Sequence, residues 1–153
     1  MNKKLLTLCI IQDGGRVLLG KKKRGFGEGR WNGFGGKVMD GERIEEAARR
    51  ETEEECGLVL TELEKRALLT FYLEGMEEVL EVHVFHSVYD GGEVVESEEM
   101  APKWFYIKDI PYDEMWQDDV YWLPRFLEGE RLVGEFRFDK NDVLLEHELK
   151  THP

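Results

Sequence analysis

Between Gly36 and Leu58 the order of residue types constrains this chain more than any other stretch does. Gly36 is followed after five residues by Glu42, and seven more lead to Arg50-Glu51. Then come Glu54-Glu55, Gly57 and Leu58. Residues 41–57 read as a helix, with Ile44, Ala47 and Ala48 as a small-residue packing face and Gly57 as its stop. On such a helix Glu51, Glu54 and Glu55 share one face at i, i+3 and i+4. Like charges at that spacing destabilise a helix by roughly a few tenths of a kcal/mol per pair. A cation between them turns that repulsion into binding. Hard oxygen ligands on a rigid turn suit Mg²⁺, which takes one or two carboxylates plus phosphate oxygens. The bland alternative is a solvated acidic face, the usual fate of a charge run.

Composition narrows the ligand. The chain has 153 residues and a formal net charge of −12, which argues against sequence-independent binding of nucleic acid. A small anion remains possible where a metal or local cations screen it. Apolar residues make up 41%, enough for a core within one domain, residues 1–153. Cys9 and Cys56 form no disulfide framework, so the expected compartment is the reducing cytoplasm. The N-terminal apolar run, Leu5 to Ile11, is broken by Thr7 and lacks a small-residue cleavage site, so a β-strand is the better reading. No run approaches the roughly 18 apolar residues of a membrane span.

Around the helix the pattern is mostly strand. LLTLCIIQ, DGG and RVLLGKK read as a hairpin. Residues 24–37 should be glycine-rich loop with a short strand at its end. Residues 67–73, 79–89 and 103–107 look like strands. In the second of these Val82, Val84 and Phe85 are core candidates, while Glu81 and His83 alternate outward. A second helix begins near Gln117 to Asp119, with Tyr121, Trp122 and Phe126 as its core face and Pro124 in its first turns or breaking it. RLVGEFRF and VLLEHEL close the chain as a hairpin. Strands on both sides of an interior helix suggest one α/β domain whose mixed sheet is covered by helices.

The spacing described above has the form G-x5-E-x7-R-E-U-x-E-E-x-G-U, where U is apolar, and it resembles the Nudix box. Only Thr52 departs, standing where an aliphatic residue is usual. At this chain's Glu and Gly frequencies a chance match is on the order of 10⁻⁶ per start point. The resemblance implies a Nudix-type α/β/α sandwich with a central mixed sheet and the box helix. It also implies hydrolysis of a nucleoside diphosphate linked to another group. Glu51, Glu54 and Glu55 would bind Mg²⁺ (or Mn²⁺ in its place) with the Gly35 carbonyl. One further carboxylate would come from residues 95–104, Glu99 being the choice over Glu96 and Glu98. Glu55 is the first candidate for general base and Glu99 the second. Arg50 lies too far from Glu42 for a one-turn pair, so its expected role is to orient a glutamate of its own helix, such as Glu54. In GFGGK the backbone approaches phosphates and metal, which makes Phe34, Gly35, Gly36 and Lys37 substrate-contact candidates.

The likeness extends further. KKRGFGEGRWNGFGGKV, EVHVFHS, VESEEM and MWQDDVYW resemble the animal MutT-type enzymes that hydrolyse oxidised purine nucleoside triphosphates. That implies conversion of 8-oxo-dGTP and 2-hydroxy-dATP to monophosphate and pyrophosphate, a sanitising role for the nucleotide pool, and ligand contact by Thr7 and Lys22. The residues suit a purine. Trp116 can stack on it, Phe26, Phe71 and Leu73 can line a slot, and Asn32 offers both a donor and an acceptor. Asp118 and Asp119 can discriminate base edges if burial or mutual repulsion keeps one protonated. Alternatively one of them merely caps the helix. His83 and His86 lack a third ligand at zinc spacing and read as structural. Leu6 and Leu73 replace aromatic residues of that family. The competing readings are the same chemistry on another nucleotide, such as an unmodified or methylated purine triphosphate or a dinucleoside polyphosphate, and a non-catalytic nucleotide-binding module. A monomer acting on a small molecule is expected.

Overall fold

The computed structural model describes residues 2–152. β1 (Lys3–Asp13) and β2 (Arg16–Lys22) form the first hairpin around Gly14 and Gly15. A short β3 (Trp31–Asn32) precedes α1 (Ile44–Cys56). β4 (Glu64–Leu73), β5 (Val79–Val88) and β6 (Met100–Tyr106) follow. Single 3-10 turns at Ile107–Asp109 and Tyr112–Glu114 lead to α2 (Asp119–Leu127). β7 (Leu132–Phe138) and β8 (Leu144–Thr151) close the described chain.

All these strands belong to one mixed sheet. β1 pairs with β5 and β4 with β7 in parallel, and the remaining pairs are antiparallel. β1 and β2 stay paired only from Ile11–Asp13 to Arg16–Leu18. Beyond that they diverge, and residues 31–37 enter the wedge. Asn32 and Trp31 pair with Gly20 and Lys21 of β2, while Phe34 and Lys37 bridge to Cys9 and Leu6 of β1.

Period-two alternation sends β1 side chains into two cores. Ile10 packs with Trp122, Leu123 and Phe126 of α2. Cys9 and Ile11 pack with Ala48 and Cys56 of α1 on the opposite face. The sheet is therefore a middle layer between helices, as the expected α/β/α arrangement requires. β7 shows the alternation cleanly, with Leu132, Gly134, Phe136 and Phe138 inward.

α1 starts at Ile44 rather than at Gly41, because residues 41–43 form the entry turn. Its end follows the expected device: Gly57 has φ +80°, and its N–H donates to the Glu53 carbonyl at 2.9 Å. Thr52 is fully buried and donates to the Ala48 carbonyl at 2.8 Å, so its hydroxyl is satisfied inside the helix. Pro124 sits within α2 without ending it.

Two expectations fail for one reason, the number of layers that cover each element. His83 does not face outward. β5 lies between β1 and β4 with both faces covered, so His83 is buried and meets Glu81 Oε2 at 2.9 Å. Tyr121 is not core. It lies on the outer side of α2 with its ring 4.3 Å from that of His147.

Candidate active site

The wedge between β1 and β2 builds the site. Gly35 lies so close to β1 that an added Cβ would sit 1.9 Å from the Thr7 carbonyl oxygen. Side chains are excluded there by the strand itself, not only by a ligand. Thr7 N–H donates to the Gly36 carbonyl at 2.8 Å and Cys9 N–H to that of Phe34 at 2.6 Å. The Gly35 carbonyl between them takes no part in this pairing. At Gly36 an added Cβ would meet the Glu51 carboxyl carbon at 2.5 Å.

The three helix glutamates do not share one environment. Glu54 is well exposed, the Glu51 side chain is 18% exposed, and Glu55 is 5% exposed. Glu55 therefore does not lie on the solvent-exposed face that the helical pattern alone suggests. Its Oε1 accepts the Gly35 N–H at 2.9 Å. Burial raises its pKa to about 7, opposed by that hydrogen bond and by nearby Lys22. Burial also raises Glu51, against the pull of Arg50.

Arg50 corrects the sequence reading most directly. Its Nε and Nη2 donate to both oxygens of Glu42, at 2.8 and 3.0 Å. Helical spacing does not apply, because Glu42 precedes the helix and turns back onto it. The same guanidinium reaches Glu51 at 2.9 Å, Glu54 at 3.5 Å and the Lys37 carbonyl at 3.0 Å. Its bond to Glu42 holds that carboxylate down to about 2.

Glu99 stands at the rim, where Arg24 donates to its Oε1 at 2.8 and 3.0 Å and Lys22 to its Oε2 at 3.2 Å. Arg24 chiefly holds Glu99 below the usual carboxylate range. Among the described residues no three acidic, cysteine or histidine side chains converge closely enough to hold a metal ion as they stand. The donor set is nonetheless chemically suitable: anionic oxygens of Glu51, Glu54 and Glu55 beside the carbonyl of Gly35, a position that admits no side chain. Such hard donors fit a hard divalent cation.

Next to these groups opens a cavity of about 230 Å³. Sites that enclose a whole drug-sized ligand run to about 300–1,000 Å³, so this one suits a flat base with its substituents outside. Leu6, Leu8, Phe71, Leu73, Trp116 and Phe138 supply apolar walls; Thr7, Lys22, Asn32 and Glu55 also line it. Phe26 is 64% exposed yet stacks on Trp116 at 5.0 Å, which puts it at the mouth. Asn32 Oδ1 accepts the Gly33 N–H at 2.8 Å.

Asp118 and Asp119 close one end, both buried. Asp118 takes the capping position but makes no capping bond; its Oδ2 accepts the Trp122 indole N–H at 2.8 Å. Asp119 Oδ2 has no hydrogen-bond partner. Burial raises both carboxyls, and burial with the neighbouring Asp118 charge holds Asp119 well above its ordinary value. Two carboxyls so placed favour a shared proton over two full charges.

Two candidates fall outside this arrangement. Phe34 is fully buried in the α1-side core, its ring beside Gly20 and Met100, and does not line the cavity. The Lys37 side chain is exposed and does not line the cavity. Sequence reasoning also passed over Arg30, whose guanidinium lies 4.0 Å over the Trp116 ring, and the donor role of Trp122. A lone cation in GEGRW, between glycines and an aromatic, was the only available signal for Arg30.

Comparison with known proteins agrees with this geometry. The model of the Nudix domain matches residues 3–126. The chain is 51% identical to an oxidised purine nucleoside triphosphate hydrolase of Danio rerio, over 95% of this chain and 94% of that protein. It is 46% identical to the protein of the same name from Mus musculus, over 96% and 94%. A crystal structure of a MutT protein from Bacillus halodurans superposes with a TM-score of 0.85 at 26% identity, covering 98% of this chain and 99% of that one. The box glutamates, the glycine wedge and these similarities lead to one conclusion: the chain belongs to the Nudix hydrolase family.

Proposed function

We propose that the protein hydrolyses oxidised purine nucleoside triphosphates, 8-oxo-dGTP and 2-hydroxy-dATP, to the monophosphate and pyrophosphate. The observation that carries the reading is the buried Asp118–Asp119 pair at the end of an aromatic cavity that opens onto Glu55. A carboxyl pair sharing a proton offers one donor and several acceptors, and moving that proton changes which base edge it matches. An orphaned, buried Asp119 oxygen is costly unless a ligand meets it. Trp116 and Phe26 supply the stacking surface, and Asn32 a further edge contact. The names carried by the Danio rerio and Mus musculus relatives support the same substrate class.

Glu51, Glu54, Glu55 and the Gly35 carbonyl, with Glu99 from the rim, would hold a divalent ion, which we take to be Mg²⁺. When bound, such an ion polarises phosphoryl oxygens and lowers the pKa of water. Glu55, buried against the Gly35 N–H, would accept the proton as water attacks phosphorus. Lys22 lies where it can neutralise the phosphate chain. Arg50 holds Glu51 and the residue 37–42 turn in register and touches no substrate. We place this activity in one domain spanning 1–153, monomeric and cytoplasmic; no described helix is long and apolar enough to cross a membrane.

The test is pyrophosphate release with Mg²⁺, comparing kcat/KM for 8-oxo-dGTP, 2-hydroxy-dATP, dGTP and dATP. The expected preference for the oxidised forms is at least about tenfold, or about 1.4 kcal/mol in the transition state. Equal rates would keep the hydrolase and discard the base reading.

A further inference from the structure

Trp116 is held from two separate parts of the chain. From the glycine-rich loop, Phe26 stacks on it at 5.0 Å and Arg30 lies 4.0 Å over its ring. From β7, Phe138 meets it edge-on at 5.9 Å. One side-chain bond joins the two parts: Arg30 Nη2 donates to Asp142 Oδ2, in the β7–β8 turn, at 3.3 Å.

Both ends of that bond are fixed. Arg30 N–H donates to the Gly27 carbonyl and its own carbonyl accepts from Lys22, each at 3.0 Å. In the turn, Asp139 Oδ1 accepts from Asn141 N–H at 2.8 Å and from Val143 N–H at 3.0 Å. Asp142 takes a left-handed backbone, with φ +63°. An exposed ion pair alone contributes little. Here the planar guanidinium also lies on an indole, a geometry that lysine cannot reproduce.

We propose that Arg30, pinned by Asp142, is a positioning residue that sets the plane of Trp116 and thereby the fit of the base in the cavity. The proposal rests on the reading of Trp116 as the base-stacking wall. It gives the β7–β8 turn, outside the cavity lining, an influence on base affinity.

The test measures binding of the monophosphate product, 8-oxo-dGMP, by calorimetry without metal, which isolates base recognition from phosphate chemistry. The proteins are wild type, Arg30→Ala, Arg30→Lys, Asp142→Asn, the double variant Arg30→Ala/Asp142→Asn, and Trp116→Ala. Asparagine tolerates the left-handed backbone at position 142, so Asp142→Asn removes the charge and spares the turn. Arg30→Ala is expected to weaken binding by about threefold to tenfold, the range of a partly desolvated cation–π contact. Asp142→Asn should give part of that loss, the double variant no more than Arg30→Ala, and Arg30→Lys little rescue. In steady-state hydrolysis of 8-oxo-dGTP, KM should rise more than kcat falls.

Additive losses, or full rescue by lysine, would overturn the proposal, since stacking would then not be what matters. So would binding within twofold of wild type in both single variants while Trp116→Ala weakens it strongly; the base reading would survive that result. If Trp116→Ala itself binds normally, the base reading fails first and this inference with it. Losses that track melting temperature across the whole set would mark a structural role and overturn it too.

Discussion

Glu55 carries both a chemical and a stability consequence. Its pKa rises from an ordinary value near 4.5 to about 7, chiefly through burial. The folded state therefore holds this proton more tightly than the unfolded chain does. The associated stabilisation is complete below pH about 4.5 and is lost as pH rises through about 7. At roughly 1.36 kcal/mol per pH unit it amounts to at most about 3 kcal/mol. Urea denaturation of the metal-free protein between pH 5 and 8 should show stability falling with pH. In Glu55→Gln that part of the slope should vanish while the fold remains. The same variant should lose about 100-fold or more of hydrolysis with Mg²⁺, in keeping with removal of a general base; near-full activity would remove Glu55 from the role. Trp122→Phe makes a second test, because it strips Asp118 of its indole donor. We expect a loss of about 1–3 kcal/mol in thermal stability, together with reduced discrimination between 8-oxo-dGTP and dGTP.

Among the elements, the 31–37 segment is the least replaceable. Gly35→Ala would place a carbon on top of the Thr7 carbonyl, and strand and segment cannot both keep their positions. The expected result is a drop in melting temperature of 10 °C or more, on the order of 3 kcal/mol, with activity lost alongside. Much of this architecture was legible beforehand. Helix α1, the two terminal hairpins and α2 follow from apolar spacing and turn residues, and Gly36 through Leu58 disclosed the glutamates. What stayed hidden depends on neighbours distant in sequence. Arg50 reaches Glu42 because the chain folds back before α1, which helical spacing cannot express. His83 is buried because strands on both sides and layers on both faces enclose β5. The Phe34 ring leaves the cavity because it bridges to Cys9 from the α1 side of the sheet. In each case the local pattern was sound and the tertiary partner was missing.

Across the whole molecule, a net charge of −12 with carboxylates gathered around Glu51 and Glu55 makes divalent ions natural stabilisers. Mg²⁺ at about 100 times its dissociation constant should add about 2.7 kcal/mol, seen as a rise in melting temperature that EDTA reverses. The rise should shrink in Glu51→Gln. Duplex DNA should show no retention even at low salt, since the net charge is strongly negative. A last consequence follows from the pleat of β1. Leu6, Thr7 and Leu8 all border the cavity, but Leu6 and Leu8 pack against the α2-side core, while the Thr7 hydroxyl between them lies 3.4 Å from the backbone of Gly36. Consecutive side chains of one strand thus meet two different surroundings at one cavity. Replacing Leu6 or Leu8 should therefore reshape the cavity wall and leave the Thr7 contact with Gly36 in place. Inserting or deleting one residue there would exchange the two surroundings, so this strand should tolerate replacement far better than a change of length.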